Sequence, residues 1–296
     1  MNPINTLVGR RLLNLVLFML IPALAQANTY YVSIYGSDYN SCDEAQSPYS
    51  AKRSVTAGAA CLRGGDTLTI GDGTYAEQLA NNIPSGSAGA PTIIQAANRN
   101  QVILRPSGDY YVVHIDNESY ITIDGIAADA ADMWAYPYFI DSQSTHIILK
   151  NGTARNGAGA YGSGIVIGRA SQTPSGFSSY AEILNMDSYG NGTSELAHGV
   201  YVTSSNNIID GNRFYNNAGF GIQLYSGSGG VNSNIVRNNE VYGQPTGSVV
   251  IATGYGNQFY NNVVHNNGKG LVIMGNSQII TGNTNLQQWA LLYSTV

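Results

Sequence analysis

The second half of the chain repeats one pattern of apolar and polar positions. Asn206–Gly219 reads NNIIDGNRFYNNAG, and Ser233–Gly247 reads SNIVRNNEVYGQPTG. Gly256–Gly270 reads GNQFYNNVVHNNGKG, and Ser277–Asn285 reads SQIITGNTN. Each phrase gives two apolar residues, two variable ones, an Asn, often another apolar residue, then an Asn/Gly turn. The asparagines fall at Asn212, Asn239, Asn262 and Asn283, spaced by 27, 23 and 21 residues. A loose period in that range is the signature of stacked coils.

Short apolar strands separated by Gly-, Asn- and Ser-rich turns continue the pattern backwards. They include Thr92–Gln95, Tyr111–Ile115, Ile165–Ile167, Val200–Val202 and Ile222–Leu224. No helical period of useful length interrupts them. Two or three short strands per 21–27 residues describe an all-β fold, a single-stranded parallel β-helix of about nine coils. Coils then sit roughly 4.8 Å apart, so equivalent side chains touch in ladders. An inward Asn at a turn can bond the Asn above and below it and tolerates left-handed backbone. Ile209, Val236, Phe259 and Ile280 should stack inside, as should Phe214, Val241 and Val264. Running the alignment backwards puts Asp187, Asn151 and Gly125 in the asparagine column. The long step from Asn151 to Asp187 points to a bulging loop at Arg169–Ser179, and Ala127–Tyr138 reads as a second insertion.

The N-terminus reads differently. Arg10 and Arg11 precede an apolar run, Leu12–Ala25, which ends in a small-x-small site at Ala25-Gln26-Ala27; this is a secretory leader over residues 1–27. The run is short of the ~20 residues that cross a bilayer, and no membrane-spanning segment follows it. Residues 28–75 form a start module: a strand at Tyr30–Ile34, a short capping helix at Ser54–Leu62 and a strand at Thr67–Ile70. Residues 76–296 are then the β-helix with a C-terminal cap segment. Such a cover is needed because the first coil would otherwise expose core and strand edges. Cys42 and Cys61, the two cysteines of the chain, fit one disulfide in an exported protein. Closing that loop is worth roughly 3 kcal/mol in the chain-entropy model.

Composition narrows the partners. Beyond the leader the chain keeps eleven basic and eighteen acidic residues. That balance disfavours nucleic acid and anionic membranes as partners.

The coil phrases and the segment Tyr30–Tyr75 (YYVS…GSD…GGDTLTIGDGTY) resemble the right-handed parallel β-helix proteins of the pectin-lyase-like superfamily. The resemblance implies a secreted or periplasmic protein with a polysaccharide partner, some members being lyases of uronate polymers. It also implies Ca²⁺ as the cofactor to look for, with Asp187, Glu195 or the Asp129/Asp132 loop as carboxylate sources. The catalytic motifs of those lyases, an acidic cluster with a following lysine, are absent here, so roles are read from the residues themselves.

The segment Glu195–Thr203 (ELAHGVYVT) carries the candidate site. Aligning Gly199–Val202 with Gly221–Leu224 sends Val200, Val202, Ile222 and Leu224 inward and Tyr201, Gln223 and Tyr225 outward. A β-eliminating lyase removes the proton alpha to a carboxylate and protonates the leaving oxygen. His198 is the candidate base and Tyr201 or Tyr225 the candidate acid; the plain alternative is that His198 stacks on Phe220 at a turn. Glu195, Gln223, Arg213, Trp134 and Tyr136 are candidate substrate contacts. For Arg213 and Arg237 the alternative is pairing with Glu240 and Asp210 on neighbouring coils. No His pair has metal-ligand spacing. Two functions follow as expectations: a polysaccharide lyase, or a non-catalytic polysaccharide-binding or scaffold solenoid.

Overall fold

The structure is a computed structural model, and it describes residues 27–80, 83–108, 110–131, 133, 136–168, 178–227, 230–285 and 292–293. Residues 1–26 of the leader, Trp134, Asp132, most of the Arg169–Ser179 loop and most of the C-terminal cap segment lie outside the described residues.

The chain winds into three parallel sheets of ten, nine and nine strands. Each winding visits sheet one, then sheet two, then sheet three. Ile208–Asp210, Arg213–Tyr215 and Phe220–Leu224 make one such winding. Neighbours in every sheet come from successive windings and lie parallel. The windings from Thr92 to Ile273 have a strand of three or more residues in all three sheets, and the first and last are abbreviated. The stack therefore has about seven full turns, where the sequence pattern suggested about nine coils. The difference is a matter of the two ends.

Three short strands close into a winding because each corner is solved the same way. A residue in left-handed backbone turns the chain, and the next residue points an amide inward. Asn206, Gly211 and Asn216 turn one winding, with φ of 64°, 70° and 53°. Asn207, Asn212 and Asn217 follow them, all buried. Gly and Asn are the residues that visit this backbone region at low cost.

The inward amides form three ladders, one per corner. Asn239 shows the bonding. Its Oδ1 accepts from the backbone N–H and the Nδ2 of Asn212, both at 2.9 Å. Its own Nδ2 donates to Ile209 O and to Asn262 Oδ1, each at 2.9 Å. The second ladder runs Asn207–Asn234–Asn257–Gln278 and the third Asn191–Asn217–Gln244–Asn267. Three ladders thus stand where the sequence reading placed one.

That reading also slips by one in the early windings. Strand register puts Asp187 opposite Arg213, and Thr153 opposite Asp187. The residues that precede them, Met186 and Gly152, occupy the column of Asn212. Asn151 and Gly125 are instead the left-handed residues of that corner, with φ of 57° and 75°. The error arose because Asn serves both positions. The supposed insertion Ala127–Tyr138 is mostly regular: Ile126–Asp129 and Tyr136–Asp141 are strands. Tyr138 is core, its hydroxyl donating to Ile126 O at 2.7 Å.

Between the ladders the core is apolar and in register. Ile209, Val236 and Phe259 stack beneath sheet one, with Ile280 at the end. Phe214, Val241 and Val264 stack beneath sheet two. The start module covers the other end. Thr29–Val32 extends sheet one by pairing with Thr67–Ile70. The helix is shorter than expected, Val55–Ala59, capped by Ser54 Oγ accepting from Ala57 N. It lies so close to Val32 that a Cβ on Gly58 would meet Val32 Cγ2 at 2.3 Å. A disulfide joins Cys42 to Cys61.

Removing a central rung should cost more than removing a terminal one. Asn239→Ala strands Asn212 N and Ile209 O in the interior, each orphan costing roughly 1–3 kcal/mol. Urea unfolding should show a loss of about 3 kcal/mol or more for Asn239→Ala, and less than half of that for Asn283→Ala at the stack's end. Equal losses would mean that the ladders do not carry the stack.

Candidate functional site

Sheet three presents the outward surface on which the sequence candidates meet. In Val200–Val202 the two valines point inward and are fully buried, so Tyr201 points outward. Register places Tyr201 opposite Gln223 on one side and Val166 on the other. The same outward column continues to Phe139 and His114.

Tyr201 is half-buried, and its phenol is pushed up to about 12, first by burial and then by Tyr225 and Tyr136 nearby. It is a hydrogen-bond donor at any ordinary pH. Tyr225 is 38% exposed and Gln223 half-buried, on the winding after Tyr201. Tyr136 lies half-buried two strands to the other side, its ring 6.0 Å from Tyr111 and 5.3 Å from Phe139. Three of the predicted aromatic groups therefore share one surface.

His198 sits at the corner leading into this surface, 3% exposed. Its backbone N–H donates to Ser163 Oγ at 2.9 Å. Its ring lies 5.4 Å from Tyr201 and 6.0 Å from Phe220. Nδ1 accepts the backbone N–H of Phe220 at 3.1 Å, so a neutral ring keeps its proton on Nε2. Burial lowers its pKa to about 4. The lone pair a base would use is thus engaged, and the ring offers a neutral N–H. This fit needs Gly219, where a Cβ would stand 2.7 Å from Nδ1.

The remaining candidates scatter. Glu195 is exposed on the loop before His198. Arg213 lies on sheet two, a different face. Its Nε and Nη2 grip both oxygens of Asp187 at 2.7 and 2.6 Å. The carboxylate on Arg213 is therefore Asp187 of the preceding winding, whereas Glu240 holds His265 at 3.1 Å. Arg237 does pair with Asp210, at 2.7 Å, as the spacing predicts. Asp129 is held by Arg155 and Asn156. Two of the carboxylates considered for Ca²⁺ are thus committed to side-chain partners. Among the described residues no group of three His, Cys, Asp or Glu side chains converges.

Sequence reasoning missed a second histidine on this surface. His114 Nε2 stands 3.6 Å from Asp141 Oδ2, with both side chains nearly buried. The imidazole stacks on Tyr111 with centroids 4.2 Å apart. The signal was the register of Tyr111–Asp116 with Tyr136–Asp141, which only the fold reveals.

Comparison with known proteins agrees with the fold. The family described as right handed beta helix region matches residues 175–286, the stretch that holds most of the amide ladders. No curated protein matches by sequence. Among solved structures, the chain is similar to pectate lyase Pel9A, with a TM-score of 0.59 at 17% identity, covering 89% of this chain and 79% of that one. It is similar to an alginate lyase from Paenibacillus sp. str. FPU-7, with a TM-score of 0.60 at 17% identity over 80% and 96% of the two chains. A rhamnogalacturonan lyase gives 0.61 at 15% identity over 84% and 73%. The chain is a right-handed parallel β-helix protein; likeness at these identities shows the fold alone.

The buried state of His198 makes a pH prediction. The unfolded ring titrates near 6.5, so protons favour the unfolded chain between about 6.5 and 4. His198 therefore withdraws stability as pH falls through that window, by about 3 kcal/mol. Glu118, raised to about 7 by burial first and Asp116 second, works in the opposite sense. The clean quantity is thus the difference between the parent and His198→Gln in urea midpoints. It should change between pH 6.5 and 4 and stay flat above 7. A constant difference across the whole range would place the ring in solvent.

Proposed function

We propose that the protein acts outside the cytoplasm and binds a polysaccharide along the outward surface of sheet three. The observation that carries this reading is the group formed by Tyr136, Tyr201, Gln223 and Tyr225. Tyr201 faces Gln223 on the next strand, roughly 4.8 Å away. Tyr225 follows two residues on in the same winding, and Tyr136 stands two strands to the other side, so a chain laid across the windings would pass over them. Aromatic rings with a polar tip give contact area at low entropic cost. Tyr201 stays protonated and His198 keeps an N–H, which suits them to sugar oxygens as donors. Similarity to the β-helix structures of a pectate, an alginate and a rhamnogalacturonan lyase supports a polysaccharide as the ligand class. The Cys42–Cys61 disulfide supports an oxidising compartment. Among the described residues no helix is long and apolar enough to cross a membrane.

Native electrophoresis in gels containing polygalacturonate, alginate or rhamnogalacturonan tests the reading. At least one polymer should retard the protein. Tyr201→Ala with Tyr225→Ala should weaken that retention by about tenfold, some 1.4 kcal/mol. Arg213→Ala, on another face, should leave it unchanged. Equal retention of the double variant and the parent, or no retention at all, rules it out.

A lyase is the second reading, and the His114–Asp141 pair favours it. An imidazole on this surface 3.6 Å from a carboxylate is a residue type that can abstract a proton. The unsaturated product of β-elimination absorbs in the ultraviolet. With the same polymers that absorbance should grow, and His114→Ala should reduce its rate by about 10² or more. A flat trace on every polymer leaves binding alone.

A further inference from the structure

We propose that the corner between sheets three and one carries a second carbohydrate site, selective for a neutral sugar. The left-handed position at that corner is filled by Asn206, Ser233, Gly256 and Ser277 in the later windings. In three earlier windings it holds Tyr120, His146 and Tyr180, with φ of 55°, 55° and 54°. A bulky residue in this backbone region costs of order 1–3 kcal/mol. Asn would turn the chain at less cost, as it does in the later winding. The rings are therefore retained for what they present, three windings in succession.

They present one stack. The Tyr120 and His146 centroids lie 4.5 Å apart with planes 16° from parallel, and His146 and Tyr180 lie 5.2 Å apart at 15°. Thr145 Oγ1, 3.0 Å from His146 Nδ1, fixes the middle ring. The stack walls a cavity of about 410 Å³, within the usual range for small-ligand sites. Its floor is the outward column of sheet one, Thr122, Ile148, Glu182 and Ile208. The Ser87–Pro91 turn closes one end, one winding before Tyr120.

The lining selects the ligand class. Aromatic rings and isoleucines suit the C–H faces of a sugar. The Glu182 carboxylate suits its hydroxyl donors. Among the described residues Glu182 is the one acidic side chain lining the cavity, and none of the described lining residues is Lys or Arg. A uronate would meet like charge there without compensation, whereas a neutral sugar would not. The site stands on a different face from the sheet-three group, and its existence does not depend on that reading.

Calorimetric titration of the purified protein with cellohexaose, xylohexaose and mannohexaose, and with hexagalacturonate as the acidic counterpart, tests the site. At least one neutral oligosaccharide should bind. The triple variant Tyr120→Asn, His146→Asn, Tyr180→Asn should lose that binding by about tenfold or more. Asn at these positions matches Asn206 and relieves the backbone, so the urea midpoint should hold or rise. Glu182→Gln, which leaves the backbone untouched, should weaken the neutral ligand as well. Tyr201→Ala with Tyr225→Ala should leave it unchanged, which separates this site from the one on sheet three. The proposal is overturned if no neutral oligosaccharide binds, if both the triple variant and Glu182→Gln bind like the parent, or if the triple variant abolishes hexagalacturonate binding instead.

Discussion

An amide that bonds to its own counterpart one winding away is the interaction on which the structure depends. Asn offers two donors and two acceptor sites, and a central rung uses them all. One donor goes to a backbone carbonyl of the preceding winding, the other to the next rung. The oxygen takes a backbone N–H and an amide N–H from the previous rung. A buried corner would otherwise leave those backbone groups orphaned. Three ladders satisfy them, and they lock successive windings into a single register.

That register makes the exterior deducible. Once Asn212 and Asn239 align, Asp210 must face Arg237 and Tyr215 must face Tyr242. The rings of Tyr189, Tyr215, Tyr242 and His265 then stack at 4.7 to 5.1 Å. The same logic sends Arg213 to sheet two and Tyr201 to sheet three, so those two cannot share a ligand-binding surface. Choice of partner is less determined than position. Arg213 lies between Asp187 and Glu240 and takes the former, while His265 takes the latter.

The regular windings were legible because their corner dipeptides are unambiguous: Gly211-Asn212, Asn216-Asn217, Ser233-Asn234, Asn238-Asn239. Each places a turning residue before an inward amide, and the apolar pairs between them mark the strands. The early windings were less so. At Asn151 the turning residue survives while the rung becomes Gly152, so the column was read one place early. Met186 fills the next rung and accepts Gly152 N–H through sulfur at 3.1 Å. His114 was opaque for another reason. Its partner Asp141 is 27 residues away, in a winding whose corners carry no amide to fix the alignment. Tyr120, His146 and Tyr180 were opaque because bulky aromatic residues are the last expected in left-handed backbone.

These departures fall in one part of the molecule. The ladders begin at Asn191, Asn207 and Asn212 and run toward the C-terminus. The windings before them hold the aromatic corner, the His114–Asp141 pair and Tyr136. A sequence that agrees with its fold at every level gains stability, and local disagreement persists where something else is gained. Here the later windings are uniform and supply the register. The earlier ones give up amide rungs and accept strained rings, and both candidate surfaces draw on them. The division follows from the ladders themselves: a stack held firmly along three corners at one end can tolerate irregular corners at the other, because apolar core and parallel strand pairing continue through both.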